Sequence, residues 1–201
     1  MPVSVLYKNL KKRISSLKKQ FLGFNPSASL LLQNQDKLRA FKLLVHAEIE
    51  SYIETAVLEV WNKCDSEWKN NKTVVPSLAF LIMFSNSKFE ANEKQLTTST
   101  RIEQILTSFK TVITNNHGIK RENILRLVVP LGVDYSSIDQ TWLSTIESYG
   151  STRGDVAHKS FAVQQPLDKN NELKNLGFVL KGLSKIDLKI QKTSSTRRRP
   201  L

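Results

Sequence analysis

Arg153 and His158 fall in the stretch STRGDVAHKS, residues 151–160, with Gly154, Asp155, Val156 and Ala157 between them. Histidine titrates near neutrality and moves protons at pH 7. Arginine is permanently charged and forks onto phosphate oxygens. The two together suit cleavage of an RNA phosphodiester by its own ribose 2′-hydroxyl, because the substrate then supplies the nucleophile. Such a reaction asks the protein for proton transfer and for stabilisation of a crowded, negatively charged phosphorane, and needs no metal. Asp155 and His158 are three residues apart and share a helix face, so the carboxylate can orient the imidazole. Arg153 and His158 are five apart, a step that turns an ideal helix by about 140°. The expected relief is a long arginine, a backbone freed by Gly154, and a helix that starts only near Asp155. With nine Arg and three His in 201 residues, about 0.13 such pairs arise by chance. An exposed arginine beside a capped histidine is therefore the alternative reading.

Other reactive side chains are sparse. A zinc centre wants several Cys and His at short fixed spacings, and His46, His117, His158 and Cys64 are scattered. No metal site and no cofactor are expected. Cys64 sits beside Asp65 and Glu67, and acidic neighbours raise a thiol pKa, the wrong direction for a nucleophile. His46 and Glu50 are four apart and share a helix face. Glu50 is an accessory candidate against a solvated glutamate, and His46 one against a packed or partner-bonded histidine. His117, beside Gly118, reads as a capping residue. Trp61, Trp68 and Trp142 read as core or interface rather than stacking platforms.

The elements that must position these residues are helical. Val3, Leu6, Leu10, Ile14 and Leu17 recur at three- and four-residue steps, giving a basic amphipathic helix over 3–21 that ends near Gly23. Leu38, Phe41, Val45, Ile49, Ile53, Val57 and Val60 mark one stripe on a long helix from about Ser29 to Trp68. Segment 76–90 is read as a helix. Thr100 and Glu103 have capping-box spacing ahead of the next helix, which Gly118 stops. A short helix over 121–128 precedes Pro130-Leu131-Gly132. Ser137 and Gln140 form a second capping-box pair, and Gly150 is expected to break the helix they open. Another then begins around Ser151–Gly154 and runs to about Val163, and Pro166 opens the last. No strand alternation, repeat or phosphate-cradling glycine loop is present, so the fold class is all-α, a bundle with one long helix.

At 201 residues with 40% hydrophobic content and a mean hydropathy of −0.30, the chain can bury a core without disulfide or metal. The single cysteine, the early lysines at Lys8, Lys11 and Lys12, and an apolar run no longer than Leu78 to Phe84 make a cytoplasmic protein without a membrane span the expectation. The net charge of +12 is uneven: +6 in residues 1–20, +7 in 174–201, and −1 between. Phosphate-attracting arms and merely solubilising ends are equally open on charge alone. The organisation read from this is a basic helix over 1–23, a helical domain over 24–192, and a disordered basic tail over 193–201.

RGDVAH at a helix start in an all-α domain resembles the Arg-x4-His motif of the HEPN superfamily. RAFKLLVHAEIESYIE (39–54), NNHGIKRENILRLVVPLGVDYSSIDQTWLSTIESYGSTRGDVAH (115–158) and PLDKNNELKNLGFVLKGLSKID (166–187) are similar to the larger prokaryotic members of the RiboL-PSP-HEPN type. The resemblance spans roughly 30–190. It implies a HEPN-type bundle that dimerises so that two Arg-x4-His segments form one composite cleft. It also implies a metal-independent endoribonuclease of a toxin–antitoxin or anti-phage system. Arg153 would then hold the phosphate and stabilise the phosphorane. His158 would act as general acid or base with its symmetry mate in the complementary role, and Asp155, Glu50 and His46 would be accessory. Ser160 stands where members under nucleotidyltransferase control carry a tyrosine, which argues against that control here. Expected partners are an RNA substrate, a second copy of the chain, and a cognate antitoxin or defence-system protein. Lys11, Lys12, Arg13, Lys159, Arg197, Arg198 and Arg199 are the RNA-binding candidates. The rivals are a non-catalytic HEPN module that binds RNA or a partner, and a helical adaptor whose charge is incidental.

Overall fold

The computed structural model describes residues 2–85, 97–158 and 165–194, leaving aside the side chains of Thr152 and of residues 154–158. Every regular element among them is helical: α1 (Val5–Phe21), α2 (Leu32–Asn71), α3 (Pro76–Phe84), α4 (Thr98–Thr114), α5 (Arg121–Val128), α6 (Gln140–His158) and α7 (Lys169–Ser194). Short 3₁₀ turns precede α2, follow α5 and precede α6.

The 40-residue α2 is the axle, about 60 Å long. Its sequence holds no glycine or proline, so nothing interrupts the hydrogen-bond ladder until Lys72. There the backbone turns left-handed (φ 50°) and its N–H closes on Trp68. Helices α1, α4, α6 and α7 pack around α2. Its whole expected stripe, Leu38 through Val60, is buried. Basic α1 is no loose arm: Tyr7, Leu10, Ile14 and Leu17 enter the same core, and full burial of each of the three aliphatic chains contributes about 1.5–3 kcal/mol. A buried carboxylate ties the ends together. Asp187 accepts from the Ser4 N–H (2.7 Å) and hydroxyl (2.5 Å), the Tyr52 hydroxyl (2.8 Å) and Gln191 Nε2 (2.8 Å). Four donors satisfy this acid, and among the described residues no cation does.

Several boundaries differ from the sequence expectation. Thr97, not Thr100, caps α4, its hydroxyl accepting the Thr100 N–H. Asp139, not Ser137, caps α6, its carboxylate accepting the Thr141 and Trp142 N–H groups. Helix α2 starts at Leu32 rather than Ser29, because Pro26–Ala28 form a 3₁₀ turn first. Helix α7 starts at Lys169, capped by Asp168. It runs to Ser194, so residues 193 and 194 of the expected tail are helical. The remainder of that tail, 195–201, lies outside the described residues, as do 86–90 of the helix read over 76–90.

The largest correction concerns Gly150. It does not break a helix: α6 runs without interruption from Gln140 to His158. A Cβ at this position would stand 3.1 Å from Lys120 Cγ and 3.3 Å from the Lys120 backbone nitrogen. Glycine is there so that the 119–120 backbone can lie against α6. The intrinsic cost, about 1 kcal/mol against alanine in a helix, is offset by that approach. The expected relief of the Arg153–His158 geometry, a helix beginning near Asp155, is therefore absent. A second close approach sets the α6–α7 packing. A Cβ on Gly182 would fall 2.0 Å from the Trp142 ring, and Trp142 Nε1 donates to the Val179 carbonyl (3.1 Å).

Candidate functional site

The last turns of α6 carry Arg153, Asp155 and His158 on one continuous helix. Arg153 is exposed. The positions of Arg153 and His158 are thus about 140° apart around one axis. The side chains of Asp155 and His158, and all of Lys159 and Arg197–Arg199, lie outside the described residues.

Beneath this end, α2 presents Lys42, His46, Glu50 and Glu54 at four-residue steps, one polar line beside its buried aliphatic stripe. Lys42 Nζ meets Glu172 Oε2 of α7 at 2.8 Å, with both side chains about 5% exposed or less. The same ammonium sits 5.1 Å from the centre of the Tyr149 ring of α6. Burial, then the adjacent Glu172 carboxylate, push the Tyr149 hydroxyl well above its ordinary pKa. The three residues pin α2, α6 and α7 together just before Arg153.

His46 is buried, and its pKa is pushed down to about 4, first by burial, then by the Arg153 guanidinium and by Lys42. Arg153 is therefore within electrostatic reach of His46. The imidazole is neutral at pH 7, so its 3.6 Å approach to Glu50 Oε2 is not an ion pair. Its Nδ1 has no hydrogen-bond partner among the described residues. This is the packed histidine rather than a neutral-pH proton donor.

A folded pKa of about 4 lies below the unfolded value of 6.5. The unfolded chain takes up that proton first as pH falls. The contribution is fully present above pH 6.5 and is lost between 6.5 and 4, amounting to about 3 kcal/mol for this one group. Urea denaturation at pH 7 and pH 4.5 should show a smaller acid loss in His46→Gln than in the parental protein. Equal losses would refute the assignment.

Glu50 and Glu54 hold the loop between α4 and α5. Glu50 Oε1 accepts the Gly118 N–H at 2.5 Å, and Glu54 Oε1 accepts from Asn116 Nδ2 at 2.8 Å. Gly118 takes φ 126°, which side-chain-bearing residues rarely adopt. The residues on both sides of His117 are thereby fixed, while His117 and Lys120 stay exposed. Burial chiefly pushes the Glu54 pKa up, against the Asn116 hydrogen bond; Glu50 pushes the same way, and His117 opposes. His117 is thus a neighbour of the Glu50–Glu54 pair, not a helix cap; the cap of α4 is Asn115. Glu50→Ala should cost about 1–3 kcal/mol by stranding the buried Gly118 N–H. Glu50→Gln retains an acceptor and should cost less than half as much in the same denaturation assay.

Other candidates lie apart from this line. Arg13 pairs with Glu48 at 2.8 Å. Glu48 is turned about 160° around α2 from both His46 and Glu50, so α1 docks on the far side of the helix. Lys11 and Lys12 are exposed there. The buried Cys64 thiol is pushed up to about 11 by burial foremost, with Asp65 a lesser contributor. Trp61, Trp68 and Trp142 are core residues. Among the described residues no group of three His, Cys, Asp or Glu is placed to hold a metal ion, and no helix is long and apolar enough to cross a membrane.

The family model described as RiboL-PSP-HEPN matches residues 8–192, from within α1 almost to the end of α7. No curated protein and no solved structure matches the chain.

Proposed function

The chain belongs to the RiboL-PSP-HEPN family, whose domains often bind or cleave RNA as dimers, and on that premise we propose that it is a metal-independent endoribonuclease built as a homodimer. A base takes the proton from a ribose 2′-hydroxyl, whose oxygen attacks the adjacent phosphorus. Arg153 holds the phosphate and stabilises the phosphorane charge. An acid then protonates the leaving 5′-oxygen. The products are a 2′,3′-cyclic phosphate and a free 5′-hydroxyl. At each site the His158 of one protomer takes the 2′-hydroxyl proton and returns it to the leaving 5′-oxygen of a phosphate held by Arg153 of the other. Its symmetry mate does the same at the second site, with Asp155 orienting the imidazole.

The observation that carries this reading is the placement of Arg153, an exposed guanidinium near the end of α6 within electrostatic reach of buried, neutral His46. The helix beneath it is held rigidly by Lys42, Glu172 and Tyr149, which suits a group that must meet a transition state without reorganising. Lys11 and Lys12, with Lys159, Arg197, Arg198 and Arg199, add attraction to the RNA backbone. In the cell the enzyme acts as a toxin or effector of a toxin–antitoxin or anti-phage system, restrained by a cognate partner. Purified protein incubated with total RNA and EDTA should cut it and leave 2′,3′-cyclic phosphate ends. Intact RNA, or cuts that leave 3′-hydroxyl ends, would sink the mechanism.

A further inference from the structure

We propose that the outer face of α7 is the track along which single-stranded RNA lies, with Phe178 as a base-stacking platform; the proposal rests on the ribonuclease reading and gives its substrate a path. Lys174, Phe178, Lys181, Lys185, Lys189 and Lys192 follow one another at steps of three or four residues. They fall within roughly 80° of the helix circumference and about 5–6 Å apart along its axis. The first four and Lys192 are exposed, and Lys189 is half-buried. Phe178 is 55% exposed, an unusual position for an aromatic that could have been buried.

The acids of α7 itself do not reach this face. Glu172 and Asp187 are both buried, one against Lys42 and the other under its four donors. Two described acids approach the stripe. Asp139 is 3.8 Å from Lys185 and also accepts the first N–H groups of α6. The carboxyl of Asp134 is held below its ordinary pKa first by hydrogen bonds from Ser136, and the Lys189 ammonium helps to hold it down. Lys189 donates to the Ser137 hydroxyl at 2.8 Å. Beside Phe178 a groove of about 100 Å³ runs between α6 and α7, lined by Thr141, Thr145, Lys181 and Gly182, with Asp139 and Lys185 also on its wall. Regularly spaced cations along one line with an aromatic among them form the pattern that follows a sugar–phosphate backbone and stacks its bases.

The direction of the track fits the site. Trp142 packs on Gly182 and Val179, and Tyr149 interacts with Glu172, so α6 and α7 run antiparallel. The Lys174 end of the stripe is therefore the end nearer Arg153. A strand held along α7 leads towards the cleft.

The test uses the full chain and fluorescein-labelled single-stranded 2′-O-methyl RNA, which has no free 2′-hydroxyl to attack with. The variant Lys174→Glu/Lys181→Glu/Lys185→Glu should bind at least tenfold more weakly. Losing three phosphate contacts should also flatten its log K against log salt slope by about 2. Phe178→Ala should weaken binding about tenfold and leave the salt slope unchanged. Lys37→Glu/Lys69→Glu/Lys110→Glu makes the same change in net charge elsewhere and should keep affinity within about threefold of the parental protein. Circular dichroism and melting temperatures establish that each variant is folded. Unchanged binding by the α7 variant, or an equal loss in the control, overturns the track. So does tighter binding of poly-glutamate through the same lysines, which would make the partner an acidic polypeptide. Failure of the parental protein to cut ordinary RNA would count against the ribonuclease reading alone, since binding of the uncleavable strand is measured separately.

Discussion

Mixing Arg153→Ala protein with His158→Ala protein should restore RNA cleavage that neither variant shows alone. The reason is the continuity of α6. Because the helix does not restart at Gly154, Arg153 and His158 stay about 140° apart on one axis. One phosphate cannot easily meet both from the same chain. In a two-fold dimer the same patch faces itself, so the arginine of one protomer can serve the same phosphate as the histidine of its partner. Each homodimeric variant then lacks one member of every site. A heterodimer of the two variants has one site missing both residues and one site intact. Random exchange makes half of the dimers mixed, and half of their sites competent, so activity should recover to about a quarter of the parental rate. If Arg153 and His158 acted within one chain, every site in the mixture would lack a residue and no activity would return. A variant that cannot dimerise should be inactive for the same reason, with its helicity unchanged.

How much of this could be read from the sequence follows from what each signal depends on. The stripe of α2 and the bounds of α5 were legible because they rest on local periodicity, and α5 occupies the expected residues 121–128. Gly150 misled because its reason is tertiary: the backbone of residues 119–120 lies against it. The caps shifted by a few residues because Thr97 and Asp139 compete with equally plausible neighbours. At the site, Glu50 and His46 were visible as a pair, but their partners were not. Gly118 is 68 residues from Glu50, and Arg153 is farther still from His46 in the chain. A further signal is the run Lys42, His46, Glu50 and Glu54 at four-residue steps, a polar row beside the aliphatic stripe of α2. As charge alone the α7 lysines are a basic end; what the structure adds is that Glu172 and Asp187 are buried and off their face.

Glu172→Ala should lower the stability of the protein by about 3–5 kcal/mol, a large share of a normal folding free energy. Lys42 would be left as an ammonium with almost no solvent contact and no counter-charge, the situation that makes breaking a buried pair so costly. For a chain of this length the melting temperature should fall by about 10 °C or more. The pair itself need not be stabilising, because both charges pay desolvation. Lys42→Met combined with Glu172→Leu should therefore recover most of the loss and can exceed the parental stability. Denaturant titration of the single and double variants measures both. An additive double variant, no better than the sum of its singles, would mean that Lys42 and Glu172 act independently and that the ion pair does not hold α2 to α7. RNA cleavage separates this role from chemistry. The double variant keeps Arg153 and His158, and the lost charges cancel, so its rate should stay within a few-fold of the parental one. A rate as low as that of Arg153→Ala in a fully folded double variant would show instead that the Lys42 charge acts on the phosphate.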